Sequence, residues 1–158
     1  MFWKADADSA RVFVPPPVIF LLFFLAGWGV DRVLGWALPL SRAVRLGSGA
    51  LLAGASGLIL IAALARFLHA RVNPEPWKTT RAIIDRGIYA HSRNPMYLGM
   101  ALLHAGIALA LASPAALLSL APVIFVIQTQ VIAREESYLE ARFGGAYSAY
   151  KARVRRWL

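Results

Sequence analysis

Two short polar runs stand at the edges of a long oily one. The first, "YAHSRNPMY", crowds Tyr89, His91, Arg93, Asn94 and Tyr97 around a single proline, Pro95. The second, "REES", sets Glu135 beside Glu136, and residues 95–133 between the two runs contain no Asp, Glu, Lys or Arg. Asparagine followed by proline reads as a helix start, with Asn94 as the cap and Pro95 at the first helical position. The unpaired N–H groups of such a start attract a carboxylate or phosphate. Arg93 can reach toward phosphates with its guanidinium while its stem stays in an apolar layer. Two adjacent glutamates at a membrane edge are costly unless paired or solvated. They form ion pairs with Arg93 or with arginines of the C-terminal tail, or they hold a cationic or hydroxyl-rich ligand. On residue types and spacing alone, helix capping and a ligand site both stay open.

The elements that must carry these runs follow from composition. The chain has 158 residues, 59% hydrophobic and 16% charged, against about 25% charged in a water-soluble domain. The apolar residues come in blocks, which marks an all-α polytopic integral membrane protein. About four spans are expected, near residues 17–30, 46–65, 96–113 and 115–133. The last two share one uncharged stretch too long for a single span of about 20 residues. "SPAA" at Ser113–Ala116 supplies the break, and Pro122 is expected to kink the second arm. The chain divides into an N-terminal pair of spans, 1–72, and a C-terminal half, 73–158, with segment, hairpin and tail. Residues 31–45 after the first span extend it or lie in the interface. Asp6 and Asp8 dilute the basic character that a signal peptide would need, so the first span is expected to be retained.

The formal net charge is +9, but no basic stripe interleaved with aromatics stands apart from the spans, which argues against nucleic acid as a partner. Basic residues flanking spans bind membrane lipids instead. The N-terminus, residues 66–94 and the tail hold two, six and six Lys/Arg, against three in residues 31–45. This asymmetry predicts both termini, and both polar runs, on the cytoplasmic face of an inner or plasma membrane. There are no cysteines, which excludes disulfides, thiolate ligands and cysteine nucleophiles. Three scattered histidines without ligand spacing suggest no metal site.

Three further features have local readings. Gly49, Ala53 and Gly57 repeat at four-residue spacing and form a face where another helix can approach. His104, inside the third span, is expected to be a neutral imidazole bonded to a neighbouring helix, with Gln128 or Thr129 as partner. Beyond a break at Gly144–Gly145, Tyr147, Tyr150, Val154 and Trp157 recur at helical spacing among basic residues. That pattern predicts an amphipathic C-terminal helix lying on an anionic membrane surface.

Taken together the motifs are Gly-x-Tyr, Arg-Asn-Pro-x-Tyr-x-Gly, Glu-Glu-x-x-Leu and Phe-Gly-x-x-Tyr-x-x-Tyr. They stand at Gly87, Tyr89, Arg93, Asn94, Pro95, Tyr97, Gly99, Glu135, Glu136, Leu139, Phe143, Gly144, Tyr147 and Tyr150. Over residues 73–158 the chain resembles the isoprenylcysteine carboxyl methyltransferase family, itself similar to the phospholipid N-methyltransferases. The resemblance implies a membrane methyltransferase using S-adenosylmethionine on a lipophilic or lipid-modified acceptor such as a prenylcysteine-like carboxylate. It implies that Ile83, Ile84 and Tyr89 line the adenosine side of the cofactor, and that Asn94, Pro95, Met96 and Tyr97 contact it at the helix start. Glu135 would hold its polar groups, and Arg93 with Glu136 would shape the substrate end as the catalytic pair. The eukaryotic enzymes have His where this chain has Asn94, so no proton charge is available at that position. His91 is expected to be solvated or to face headgroups.

Methyl transfer from a sulfonium is an in-line displacement. A carboxylate acceptor is already ionised at pH 7 and needs no general base, so orientation and water exclusion are the main tasks. A lipid amine would first have to lose a proton, with which a carboxylate such as Glu136 could help. The alternatives are a phospholipid N-methyltransferase, an NADPH-dependent reductase related to the membrane sterol reductases, and a non-catalytic helical module.

Overall fold

The computed structural model describes residues 9, 10, 12, 14–75 and 78–158; Asp6 and Asp8 lie outside the described residues. Proline starts three of the rods. Pro16 opens α1, Pro16–Leu34, which ends at Gly35 with φ +67°, a left-handed turn that glycine adopts without a Cβ penalty. α2, Arg42–Ala70, starts at Ser41, whose Oγ accepts the Val44 N–H at 3.3 Å. After an irregular stretch and a 3-10 turn at Gly87–Ala90, Pro95 opens α3, Pro95–Ala110. Pro114 then opens one long rod made of α4, Pro114–Leu118, α5, Leu120–Val126, a π-helical stretch at Ile127–Ile132, and α6, Ala133–Phe143. α7, Gly145–Arg153, completes the chain, and the described residues include no strand.

Three of these rods, Pro16–Leu34, Arg42–Ala70 and Pro114–Phe143, are long and apolar enough to cross a membrane. α3 is a shorter apolar helix of 16 residues, or about 24 Å at 1.5 Å per residue. The fold is therefore that of a polytopic all-α membrane protein. The rods run longer than the apolar blocks: α1 takes in Asp31 and Arg32, and α2 begins at Arg42. The second arm of the hairpin does not stop at residue 133 but passes without a break into α6. Pro122 acts on the turn before it. The helix is interrupted at Ser119, because a proline cannot donate to the carbonyl four residues back and its ring crowds that carbonyl.

α3 packs against α2 through glycine. A Cβ on Gly49 would lie 2.8 Å from the Gly106 carbonyl oxygen, and one on Gly106 would lie 2.9 Å from the Gly49 oxygen and 3.1 Å from the Ala53 nitrogen. The small-residue face thus works at Gly49 and Ala53. Gly57 faces open space, where a Cβ would meet nothing within 4 Å. Ser56 Oγ adds a hydrogen bond of 2.7 Å to the Gly99 carbonyl. Gly106→Val is expected to destabilise the fold by about 1–3 kcal/mol, since the added carbons meet backbone rather than side-chain ends. A lowered midpoint in a circular-dichroism melt of the detergent-solubilised protein would show it.

At the opposite end from the Arg93–Asn94–Pro95 corner, buried Asp31 clasps the hairpin turn. Its carboxylate accepts the Ser113 hydroxyl and the Ala115 N–H, the latter at 3.1 Å, and so caps α4 from another helix. His104 bonds near this end and not to Gln128 or Thr129. Its Nε2 lies 2.8 Å from the Ala116 carbonyl and 3.1 Å from Ser119 Oγ. The expected partners are engaged elsewhere: Thr129 donates to the Phe125 carbonyl at 2.8 Å, and Gln128 accepts from Trp157 Nε1 at 3.0 Å.

The tail departs most from expectation. Tyr147, Tyr150 and Val154 are buried in the protein, packed with Ile83, Leu139 and Phe143. The periodicity that suggested a membrane-surface helix is real, but its apolar side covers residues 83–90 and α6. Gly144 allows this with φ +52° and ψ −124°, a conformation open to glycine, which turns α7 back at the end of α6.

Candidate active site

One cavity lies where the 73–90 segment, the start of α3, α6 and α7 meet. It encloses about 880 Å³ of empty space, its open mouth included. Of the predicted site residues, Ile83, Ile84, Tyr89, Arg93, Asn94, Met96, Tyr97, Glu135 and Glu136 all line it. Pro95 does not. It is buried at the first position of α3, where its fixed φ starts the helix.

Gly87 sets the direction of Tyr89. Its φ is +65°, and a Cβ there would sit 3.0 Å from the Arg66 side chain. The 3-10 turn that follows buries the Tyr89 ring edge-on against Phe67, with centroids 5.6 Å apart. Burial, and then the nearby Glu135 carboxylate, push the Tyr89 phenol above the usual tyrosine range.

Asn94 stands at the N-cap position of α3, its carbonyl accepting the Leu98 N–H at 3.1 Å, but its side chain does not cap. Its side chain makes no capping bond; Nδ2 donates 2.9 Å to the Arg156 carbonyl, while its backbone N–H is accepted by Ser92 Oγ at 3.1 Å. The Arg93 N–H donates to the Arg155 carbonyl at 3.0 Å. The corner before α3 is therefore laced to the end of the chain. The Tyr150 hydroxyl extends this lacing, donating 2.8 Å to the Tyr89 carbonyl. Burial, and then the charge of Glu136, push the Tyr147 phenol up to about 12. Burial and neighbouring Tyr147 raise Tyr150 as well, so both hydroxyls keep their protons at physiological pH.

The two glutamates take different roles. Glu135 accepts the Tyr97 hydroxyl at 2.7 Å and lines the cavity. Glu136 is paired, which was one of the two readings open from sequence. Arg93 Nη2 lies 3.2 Å from it, and Arg156 engages both carboxylate oxygens, at 3.0 and 2.6 Å. The Arg93 and Glu136 side chains are each 9% exposed, so this pair sits in a low-dielectric setting where its geometry matters. Arg93 Nε and Nη1 are buried and have no hydrogen-bond partner among the described residues. A guanidinium nitrogen buried without a partner is costly to leave so, and Arg93 is also one of the residues that line the cavity.

Several lining residues were not singled out from the sequence as site residues: Phe67 at the end of α2, Asn73 and Glu75 in the following turn, and Tyr138, Tyr147 and Tyr150 on α6 and α7. Tyr147 and Tyr150 did carry a signal, their regular place after Phe-Gly. Phe67 carried none, since it reads as one more apolar residue of a span.

The phospholipid methyltransferase family model matches residues 46–146 of this chain. A curated protein of Haemophilus influenzae (strain ATCC 51907 / DSM 11121 / KW20 / Rd), described as an uncharacterized protein, is 46% identical over 63 residues. That match covers 40% of this chain and 100% of the relative.

Proposed function

Because the chain belongs to the phospholipid methyltransferase family, we propose that this membrane methyltransferase uses S-adenosylmethionine to methylate a lipophilic acceptor at the Arg93 wall of the cavity. The observation that carries the reading is the pair of buried Arg93 nitrogens, Nε and Nη1, that have no hydrogen-bond partner among the described residues. An acceptor carboxylate, as in a prenylcysteine-like substrate, would satisfy one of them with a charge-assisted hydrogen bond. It would arrive already ionised, so no base is needed. Arg93 then orients the acceptor, and Glu136 holds Arg93 in place through Nη2.

The cavity suits the cofactor in chemistry as well. Phe67, Ile83, Ile84, Tyr89 and Met96 offer apolar and aromatic surface for a nucleoside, and Asn94 and Tyr97 at the start of α3 with Glu135 on α6 offer polar groups. When bound, the cofactor supplies an electrophilic methyl on a positively charged sulfur. The protein's own residues bind, orient and exclude water. The basic asymmetry of the sequence supports a cytoplasmic position for this face.

The family match favours a second acceptor class, a phospholipid amine. Such an ammonium must lose a proton before it can attack. Both oxygens of Glu136 are engaged by guanidinium groups, which supports Glu135 rather than Glu136 for that task.

Isothermal titration of the detergent-purified protein with S-adenosylhomocysteine and with NADPH tests the reading. Binding of the first alone is expected. Binding of NADPH alone would make the protein a reductase, and binding of neither would leave a helical module without this chemistry. With radiolabelled methyl donor, Arg93→Gln is expected to raise the acceptor KM at least ~10-fold while the affinity for S-adenosylhomocysteine changes by less than ~2-fold. Equal loss of both would remove Arg93 from the acceptor side.

A further inference from the structure

Arg156, near the end of the chain, shares the Glu136 carboxylate with Arg93, and the two arginines hold it differently. Arg93 reaches it through one nitrogen, Nη2, 3.2 Å from Oε1. Arg156 reaches it through two: Nε donates to Oε1 at 3.0 Å and Nη2 to Oε2 at 2.6 Å. Two parallel bonds of this kind fix the plane of a carboxylate, and contact through one nitrogen fixes a guanidinium less firmly. The oxygen that Arg93 meets is therefore set in place by Arg156.

Arg156 starts from a backbone held at three consecutive residues. The Arg155 carbonyl accepts the Arg93 N–H at 3.0 Å, the Arg156 carbonyl accepts Asn94 Nδ2 at 2.9 Å, and Trp157 Nε1 donates to Gln128 Oε1 at 3.0 Å. These bonds tie the corner before α3 to the π-helical stretch of the long rod. They do not use the Arg156 side chain, so the tail stays docked without it, helped by the buried Tyr147, Tyr150 and Val154. The charge of Arg156 counts for less than its geometry. Its side chain is 36% exposed and screened by water, whereas Arg93 and Glu136 are buried. Arg156 does not line the cavity, so its route to a bound acceptor runs through Glu136 and Arg93.

We propose that Arg156 is a positioning residue for acceptor binding: its fork orients the Glu136 carboxylate, which in turn sets the direction of the Arg93 guanidinium at the cavity wall. The effect on an acceptor rests on the proposed methyl transfer; the orientation of Arg93 does not.

The test uses the full chain in detergent, with radiolabelled methyl donor and a farnesylated cysteine analogue as acceptor. Arg156→Gln and Arg156→Lys are each expected to raise the acceptor KM at least ~5-fold while the affinity for S-adenosylhomocysteine changes by less than ~2-fold. Lysine keeps the charge and loses the fork. Arg153→Gln, on an exposed arginine of the same tail that pairs with Asp85 at 3.6 Å, should keep the wild-type KM. In an Arg93→Gln background, Arg156→Gln should add less than ~2-fold, because the group it directs is gone. A wild-type KM in Arg156→Lys would overturn the proposal, leaving charge as the only contribution. So would a full second loss in the Arg93→Gln background, or a protease-sensitive tail in both Arg156 variants, which would make Arg156 a structural clamp. The Arg93 Nε–H resonance in a heteronuclear NMR spectrum reads the orientation without an acceptor, and it is expected to shift in both Arg156 variants. A shift in a protein that methylates no acceptor would retain the positioning and reject the acceptor reading. An unmoved resonance would overturn the positioning itself.

Discussion

Glu135→Ala is expected to abolish S-adenosylhomocysteine binding while the helices stay folded. Glu135 has a cavity-facing carboxylate whose partner is a hydroxyl, Tyr97 Oη at 2.7 Å, rather than a cation. Hydrogen bonds to a charged group contribute about 1.5–3 kcal/mol each. A ligand that presents hydroxyls or an ammonium to Glu135 would therefore lose ~100-fold or more in affinity, about 2.7 kcal/mol. Removing the carboxylate also strands the buried Tyr97 hydroxyl, a cost that falls on the protein and not on the ligand. Glu135→Gln separates the two effects, because the amide oxygen still accepts from Tyr97 while the negative charge is gone. If affinity falls as far in Glu135→Gln as in Glu135→Ala, charge is what the ligand reads. Titration calorimetry with far-ultraviolet circular dichroism as the folding control decides it, and unchanged affinity in the alanine variant would take Glu135 out of the site.

Glu136→Ala should act first on the architecture. The carboxylate joins α6 to the corner before α3 through Arg93 and to the chain end through Arg156. Taking one partner from a buried pair costs about 3–5 kcal/mol, because the remaining charge stays buried without compensation. Arg156 is 36% exposed on its side chain, so water recovers most of its share. Arg93 is not rescued in this way, since it is buried and its other guanidinium nitrogens have no partner among the described residues. We expect a loss of about 3 kcal/mol, seen as a lower melting midpoint, together with faster proteolysis of residues 144–158 as the tail undocks. A variant with unchanged midpoint and a protected tail would show that the backbone and tyrosine bonds alone hold the tail in place. Cofactor binding is expected to weaken as well, because Tyr147 and Tyr150 on α7 are walls of the cavity.

These two neighbours show how much was legible beforehand. That Glu135 and Glu136 return to the Arg93–Asn94 corner followed from one uncharged stretch too long for a single span and from a proline break near its middle. Which of them pairs with the arginines did not follow. Adjacent residues on a helix point about 100° apart, so the choice depends on the rotation of α6, and α6 continues a rod containing a π-helical stretch that no propensity announces. Asn94 teaches the same lesson. Asparagine before proline is a strong capping signal, yet its side chain serves the Arg156 carbonyl, a group 62 residues away that competes successfully for the amide.

The tail is the largest difference. Its helical spacing of aromatic residues established that one side would be covered by something apolar. A membrane surface and a folded protein surface satisfy that pattern equally, since hydrophobic burial has no direction of its own. Only the assembled structure supplied the winning surface, with Ile83 and Phe143 to pack on and the Tyr89 carbonyl to bond.

By itself, the sequence determined that this chain is an all-helical membrane protein and singled out most of the residues that line its cavity, because span length, charge distribution and motif spacing are properties of the chain taken in order. The tertiary structure alone decided that Glu136 is paired with two arginines while Glu135 accepts the Tyr97 hydroxyl, that α7 closes a wall, and that two Arg93 nitrogens have no partner among the described residues. Those outcomes depend on helix rotation and on competition among groups far apart in the chain, and such quantities exist only once the rods have packed.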